Sequence, residues 1–156
     1  TMGFEVPAAI GAAVARPDRA IWSIAGDGGF QMTMSELATI VEQRLPIKFA
    51  ILNNNSLGMV RQLQDLFYGG VRVSTAYSGN PDFVKLAEAY GIWAIRVSDS
   101  TKVQEAIAQA SAVDGPALID FEIAPEENVY PHLPAGGTAS EMIEGPTGKE
   151  APTWLS

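Results

Sequence analysis

Four apolar runs of strand length, at residues 20–25, 47–52, 92–97 and 117–123, are separated by stretches of helical period. The first two are nearly continuous in hydrophobicity, which suits parallel strands covered by helices on both faces. The intervening stretches have readable ends. Thr33 and Glu36 stand at the spacing of a capping box, and Leu37, Ile40, Val41 and Leu45 follow at helical intervals until Pro46 forbids continuation. Asn80-Pro81-Asp82 supplies an N-cap, a proline at the first helical position and an early carboxylate; Phe83, Leu86, Ala87 and Tyr90 then form a stripe that Gly91 closes. Val103, Ala106, Ile107 and Ala110 make a third stripe, ended by Asp114-Gly115-Pro116. Pro7 opens an alanine-rich segment to Ala15, whose small side chains allow close approach to a sheet or another helix. The alternation predicts an α/β fold, a largely parallel sheet flanked by helices over residues 1–124, followed by an irregular Pro- and Gly-rich tail over 125–156 that packs over something.

Composition narrows the partners. The 156 residues are 47% hydrophobic, enough to bury a core in a single domain. With 10 Lys plus Arg against 18 Asp plus Glu, the formal charge of −8 argues against a nucleic-acid partner and against electrostatic adhesion to a membrane. The absence of Cys excludes disulfides and thiolate metal sites, and the one histidine, His132, cannot build a multi-histidine site. No apolar run approaches the roughly 20 residues that cross a bilayer, and residues 1–15 lack the charged start of a secretory signal. A soluble, cytoplasmic domain is expected.

Two blocks carry chemistry. Gly26-Asp27-Gly28-Gly29 follows the first predicted strand, and Asn53-Asn54-Asn55-Ser56-Leu57-Gly58-Met59 follows the second. One helix and one strand lie between Asp27 and Asn54, so both blocks fall on the carboxyl edge of the sheet, where open α/β folds bind ligands. Asp27 and Asn54 offer hard oxygen ligands, the Ser56 carbonyl could add a third, and a diphosphate with one water would complete an octahedron around Mg²⁺. Backbone N–H groups at Gly28, Gly29 and Gly58 would soften the remaining negative charge, so an acidic chain can hold a phosphate ligand without a Lys or Arg clamp. Either block alone is ordinary turn chemistry; their pairing on one edge is what points to a site.

The same residues carry a family resemblance. Gly26-Asp27-Gly28 followed by Asn53-Asn54 resembles the signature of thiamine diphosphate (ThDP) enzymes, in the domain that holds the diphosphate. The chain is more closely similar to the catalytic large subunits of acetolactate (acetohydroxyacid) synthases, through Thr1-Met2-Gly3-Phe4, Val6-Pro7-Ala8-Ala9-Ile10-Gly11, Leu57-Gly58-Met59-Val60-Arg61-Gln62, Leu66-Phe67-Tyr68, Asn80-Pro81-Asp82-Phe83 and Pro125-Glu126-Glu127-Asn128-Val129-Tyr130-Pro131. The likeness runs from Thr1 to about Glu144. It implies that Asp27, Asn54 and the Ser56 carbonyl hold Mg²⁺, that Gly26, Gly28, Gly29, Leu57 and Gly58 line the diphosphate, that Met2 wedges beneath the cofactor to force its V shape, and that Met59 lies against cofactor and substrate. Composition alone would make both methionines core filler. The implied activity is decarboxylation of pyruvate and condensation of the two-carbon unit with pyruvate or 2-ketobutyrate, in branched-chain amino acid biosynthesis. Departures from the family pattern are Leu63, where many members carry Trp in a channel that also admits herbicides, Glu5 in place of Gly, Val6 in place of Leu, and Pro131-His132-Leu133-Pro134 in place of Pro-Met-Val-Pro. His132 reads as a solvated loop residue, or as one that faces the site when the tail closes.

In that family the catalytic glutamate belongs to an N-terminal domain contributed across a dimer interface, and FAD to a middle domain. Neither is in this sequence, so no catalytic residue is expected in it. The chain reads as the carboxy-terminal piece of a subunit that forms a homodimer or homotetramer, with a regulatory small subunit as a further partner. Alone it is expected to leave apolar surface uncovered on the 7–15 helix and at the cofactor edge, to self-associate, to bind ThDP weakly and to show little or no carboligase activity. Two other readings stay open: a domain of another ThDP enzyme (sulfoacetaldehyde acetyltransferase, glyoxylate carboligase or a decarboxylase split over two chains), and a non-catalytic module that keeps the fold without the cofactor.

Overall fold

A computed structural model describes residues 1–146. Pro152 and the rest of 147–156, the end of the expected tail, lie outside the described residues. In chain order the elements are α1 (Glu5–Ala15), β1 (Ile21–Gly26), α2 (Asp27–Thr33), α3 (Leu37–Glu42), β2 (Ile47–Asn53), α4 (Gly58–Phe67), α5 (Phe83–Ala89), β3 (Trp93–Val97), α6 (Val103–Ala112) and β4 (Ala117–Glu122). The strands form one sheet in the order β1-β2-β4-β3, with every neighbouring pair parallel. All four apolar runs are therefore strands, and the fold is the parallel α/β layer that their alternation with helices predicts. No helix among the described residues is long and apolar enough to cross a membrane.

Helices cover both faces, which is why the strands read as unbroken apolar runs. Leu118 of β4 joins a cluster with Val6, Ala9 and Ala13 of α1, Phe30 of α2, Ile40 of α3 and Phe83 of α5. The next residue, Ile119, points the other way, into a cluster with Ala106 and Ala110 of α6. Three rings knit the first cluster: Phe30 meets Phe49 of β2 and Phe83 edge-on at 5.9 and 5.7 Å, the arrangement that aligns ring edge with ring face. Outside the core, Phe4, Val14 and Ile24 are exposed.

Two helix starts differ from the sequence reading. The predicted capping box at Thr33 and Glu36 does not open a helix: α2 begins at Asp27, directly after β1, and a tight 3₁₀ turn at Met34–Glu36 leads into α3. Thr33 caps nothing and its hydroxyl is buried without a partner, while the Glu36 carboxylate accepts from the Thr39 hydroxyl at 3.2 Å. Burial decides this. Phe30, Leu37 and Ile40 are all fully buried, and the break at Thr33 lets α2 and α3 each turn an apolar side into the core. The helix also ends at Glu42, short of Leu45, with Arg44 in the left-handed region (φ 52°).

The second difference lies at α5. Asp82, not Asn80, is its N-cap, accepting from the Val84 and Lys85 amides at 3.1 and 3.2 Å, so Pro81 precedes the helix instead of opening it. The other end matches the reading: Gly91, at φ +73°, closes the helix with its own amide on Glu88 and that of Ile92 on Ala87, both at 2.9 Å.

Beyond β4 the chain crosses α4. Arg61 donates to the Glu127 carbonyl at 2.8 Å and to the Asn128 side chain at 2.7 Å. The Gln62 amide pairs with the Val129 backbone as a second strand would, giving at 2.8 Å and receiving at 2.9 Å. Replacing Phe49 by Ala should cost about 3–5 kcal/mol in denaturant-induced unfolding, because it opens a cavity beside Phe30 in the buried cluster. Val14→Ala, on the exposed side of α1, should change stability by no more than about 0.5 kcal/mol.

Candidate cofactor site

The strand register delivers the two polar blocks to one place. Gly26 lies opposite Leu52 in the β1–β2 pairing, so Asp27 and Asn53, each one residue further on, leave the sheet at the same level. Between the start of α2 and the turn into α4 opens a cleft of about 380 Å³. Met2, Gly26, Asp27, Gly28, Gly29, Asn54, Ser56, Leu57, Gly58 and Met59 all line it. Met2 and Met59 are half-exposed toward it and are not core filler.

Asp27 is the first residue of α2 and is 1% exposed. Its Oδ2 accepts from the Asn80 amide at 2.6 Å. Burial pushes its pKa up from the ordinary carboxylate value, against the opposing pull of Asn80 and of the backbone N–H groups of Gly28 and Ser56. Tyr77, beside it, has its phenol pushed up by burial and then by the Asp27 charge.

The second block is a built turn. The Ser56 amide donates to Asn54 Oδ1 at 3.1 Å, an Asx turn, and the same amide is among the groups that favour the ionised Asp27. Asp27 and Asn54 thus meet around one backbone N–H. Asn55 sits in the left-handed region at φ 53°. The Ser56 hydroxyl and the Leu57 amide bond to the Thr75 carbonyl at 2.9 and 2.8 Å, and Tyr77 returns a bond to Asn55 at 2.9 Å, so residues 75–77 buttress the turn from outside. The Ser56 carbonyl accepts no backbone hydrogen bond among the described residues.

Two glycines are needed because of what stands over them. A Cβ on Gly58 would come within 2.7 Å of the Asn54 amide nitrogen. One on Gly28 would run into the Tyr77 hydroxyl and approach Leu57 Cδ2 at 3.0 Å.

This donor set fits magnesium and a diphosphate. Among the described residues no group of three or more His, Asp or Glu could hold a metal; the cleft offers one buried carboxylate, an amide oxygen and a free carbonyl, all hard oxygen donors of the kind Mg²⁺ takes together with phosphate and water. The glycine floor and two helix starts present backbone N–H groups to an anion.

Some lining residues were not among the site residues expected from the sequence: Glu5 at the start of α1, Ile24 of β1 and Leu52 of β2, Gln62 on α4, and Glu127 and Val129 from the crossing segment. Asn80 was read as a helix cap, yet its side chain reaches Asp27. His132 does not line the cleft; its ring stacks obliquely on Phe67 at 5.9 Å.

An open parallel sheet with a glycine-floored cleft across its carboxyl edge, whose donors fit one divalent cation, is the arrangement of a phosphate-cofactor domain of the doubly wound α/β class. Residues 1–121 match the family described as thiamine pyrophosphate enzyme, C-terminal TPP binding domain, and the chain belongs to that family. It is 45% identical to the probable acetolactate synthase large subunit of Methanococcus aeolicus and 44% identical to the acetolactate synthase isozyme 2 large subunit of Escherichia coli K12, each over 92% of this chain. The chain spans only 24% and 26% of those relatives' lengths. Among solved structures it is similar to the Rhodococcus jostii RHA1 thiamine diphosphate-dependent 4-hydroxybenzoylformate decarboxylase, with a TM-score of 0.73 and 32% identity over 81% of this chain and 24% of that one.

The raised pKa of Asp27 fixes the sign of a pH effect in metal-free protein. The neutral carboxyl suits the folded state, so its contribution is fully present below the unfolded value near pH 4 and is lost as pH rises through the folded value. Metal-free Asp27→Asn protein should therefore melt above wild type at pH 7, with the gap closing toward pH 4. Thermal unfolding across that range checks this, and parallel curves would count against a buried, uncompensated carboxylate.

Proposed function

We propose that this chain is the diphosphate- and magnesium-holding domain of an acetolactate synthase catalytic subunit. The observation that carries the reading is the convergence of all ten motif residues on one cleft, in a chain 44–45% identical to acetolactate synthase large subunits. Asp27 and Asn54 side chains and the Ser56 carbonyl would hold Mg²⁺. Gly28, Gly29, Leu57 and Gly58 would line the diphosphate, while Met2 and Met59 would pack on the organic part of the cofactor. Bound ThDP supplies the electron sink on which a 2-keto acid loses CO₂. The chain's own part is to bind, orient and screen: Met2 and Met59 exclude water from one side of the cleft, and the segment carrying Glu127 and Val129, bonded to Arg61 and Gln62 on α4, closes another.

No catalytic acid or base is assigned to this chain. In this reading the family's glutamate and FAD are held by other parts of the protein, which works in the cytoplasm as a homodimer or homotetramer, with a regulatory small subunit. The second reading, a 2-keto acid decarboxylase, is favoured by the likeness to the 4-hydroxybenzoylformate decarboxylase. Product analysis separates the two. The intact protein, given pyruvate, ThDP and Mg²⁺, should form acetolactate, and Asp27→Ala should lower the rate at least about 10²-fold. Free aldehyde with no acetolactate would support the decarboxylase, and no consumption of pyruvate would remove both.

A further inference from the structure

Asn80 lies 53 residues from Asp27 in sequence, and its side chain is held from every side. The two hydrogens of its Nδ2 are shared among three acceptors, Asp27 Oδ2 at 2.6 Å, Asn53 Oδ1 at 3.0 Å and Asn55 Oδ1 at 3.1 Å, with Asp27 the shortest. Its Oδ1 accepts from Gln31 Nε2 at 3.0 Å. Gln31 stands one helical turn after Asp27 on α2, so that helix grips the amide at both ends, with an acceptor at one position and a donor four residues on. The orientation is fixed by chemistry. A carboxylate only accepts, so the NH₂ end must face Asp27, and Gln31 supplies the donor that the oxygen end needs.

The grip extends through a closed circuit. Asn53 Nδ2 donates to Asp120 Oδ1 at 3.1 Å, and Arg96 Nε donates to Asp120 Oδ2 at 3.0 Å. Arg96 Nη2 reaches Asp82 Oδ1 at 2.9 Å, and Asp82 is joined to Asn80 through Pro81. Residues from β2, β4, β3 and the cap of α5 thus fix where Asn80 stands. Capping does not account for it, since Asp82 performs that role.

We propose that Asn80 is a positioning residue for the metal ligand Asp27. By engaging Oδ2 it leaves Oδ1, to which no side chain among the described residues donates, as the oxygen for the ion, and it would restrict the carboxylate to one-oxygen coordination. The inference rests on the magnesium–ThDP reading above and deepens it. Mg²⁺ requires near-ideal octahedral geometry, whereas Ca²⁺ accepts two-oxygen carboxylates and irregular shells. Asn80 therefore acts on which ion is favoured as well as on how tightly it is held. Aspartate at this position would set a second carboxylate against the first, and a hydroxyl is too short to span Asp27 and Gln31.

The test is ThDP binding to the intact protein, followed by calorimetry while either Mg²⁺ or Ca²⁺ is varied, with melting of the metal-free protein as a control for folding. Asn80→Ala should raise the half-saturating Mg²⁺ concentration about 10–100-fold and the Ca²⁺ concentration much less. An unchanged Mg²⁺ requirement, or equal rises for both ions, overturns the proposal, because a merely structural defect would not discriminate between them. Asp27→Ala separates the two levels of the reading. If it abolishes Mg²⁺-dependent binding while Asn80→Ala behaves as wild type, only the positioning role falls; if Asp27→Ala keeps the Mg²⁺ dependence, the metal assignment falls and takes the positioning role with it. Should metal-free Asn80→Ala fail to fold, Gln31→Met decides: it removes the donor on Asn80 Oδ1 and should shift the ion preference in the same direction, and no shift overturns the proposal.

Discussion

A carboxylate that is 1% exposed, at the head of a helix and with no Lys or Arg among the described residues lining the cleft it borders, is costly to keep in a protein. The carboxyl edge of this sheet is arranged around that cost. Nearby dipoles reduce it: the amide of Asn80, the backbone N–H groups at the start of α2, and the Ser56 amide of the facing turn. Against them stands burial, which pushes the carboxyl's pKa upward. A buried acid that dipoles leave under-compensated is a place where a cation would be favoured, which is the physical ground for the proposed magnesium site.

The sheet explains how such a group can be placed so reproducibly. Register pairs Ile51 with Asp120 and Asp120 with Arg96, so Asn53, two residues past Ile51, shares a face with both. That is also the face on which Leu118, Phe30 and Phe83 pack. Along one side of the same strands, apolar core gives way to an amide, a buried carboxylate and a guanidinium at the carboxyl end. Asp120 is fully buried but bonded through both oxygens, which is the condition under which a buried charge is tolerated. The aromatic core sets where the helices sit, and the polar end of the sheet sets where the helix-borne acid points.

Much of this was legible from residues alone. Strands buried on both faces have no alternation to confuse them with surface, so their runs stood out. The Asp27 and Asn54 blocks were legible as a pair because a single helix and strand between them put both on one edge. What failed were the choices that depend on a distant partner. Asn80 and Asp82 are both competent caps, and nothing within the local sequence tells which is used; the tie is broken by Asp27, Gln31 and Asn53, which claim Asn80 through tertiary hydrogen bonds. Thr33 and Glu36 satisfied a local rule that burial of Phe30 and Leu37 overrode. Arg61 and Gln62, both buried, were visible as motif members but not as clamps on the 127–129 segment, because polar residues on a helix ordinarily mean solvent.

The cleft's charge carries the argument one step further. Glu5, Asp27 and Glu127 line it, and no Lys or Arg among the described residues does. Such a surface repels a free diphosphate. Helix starts and glycine amides offer partial charges worth a fraction of an elementary charge each, too little to hold an anion of about three charges beside three carboxylates. In the proposed reading, a divalent ion held by Asp27, Asn54 and Ser56 would reverse the local sign and let a diphosphate bind beside it. The departure at Glu5, whose carboxylate stands over Gly29 where a Cβ would otherwise go, would increase that dependence: in the proposed reading, the more acidic the cleft, the more completely cofactor affinity would be governed by the ion at Asp27.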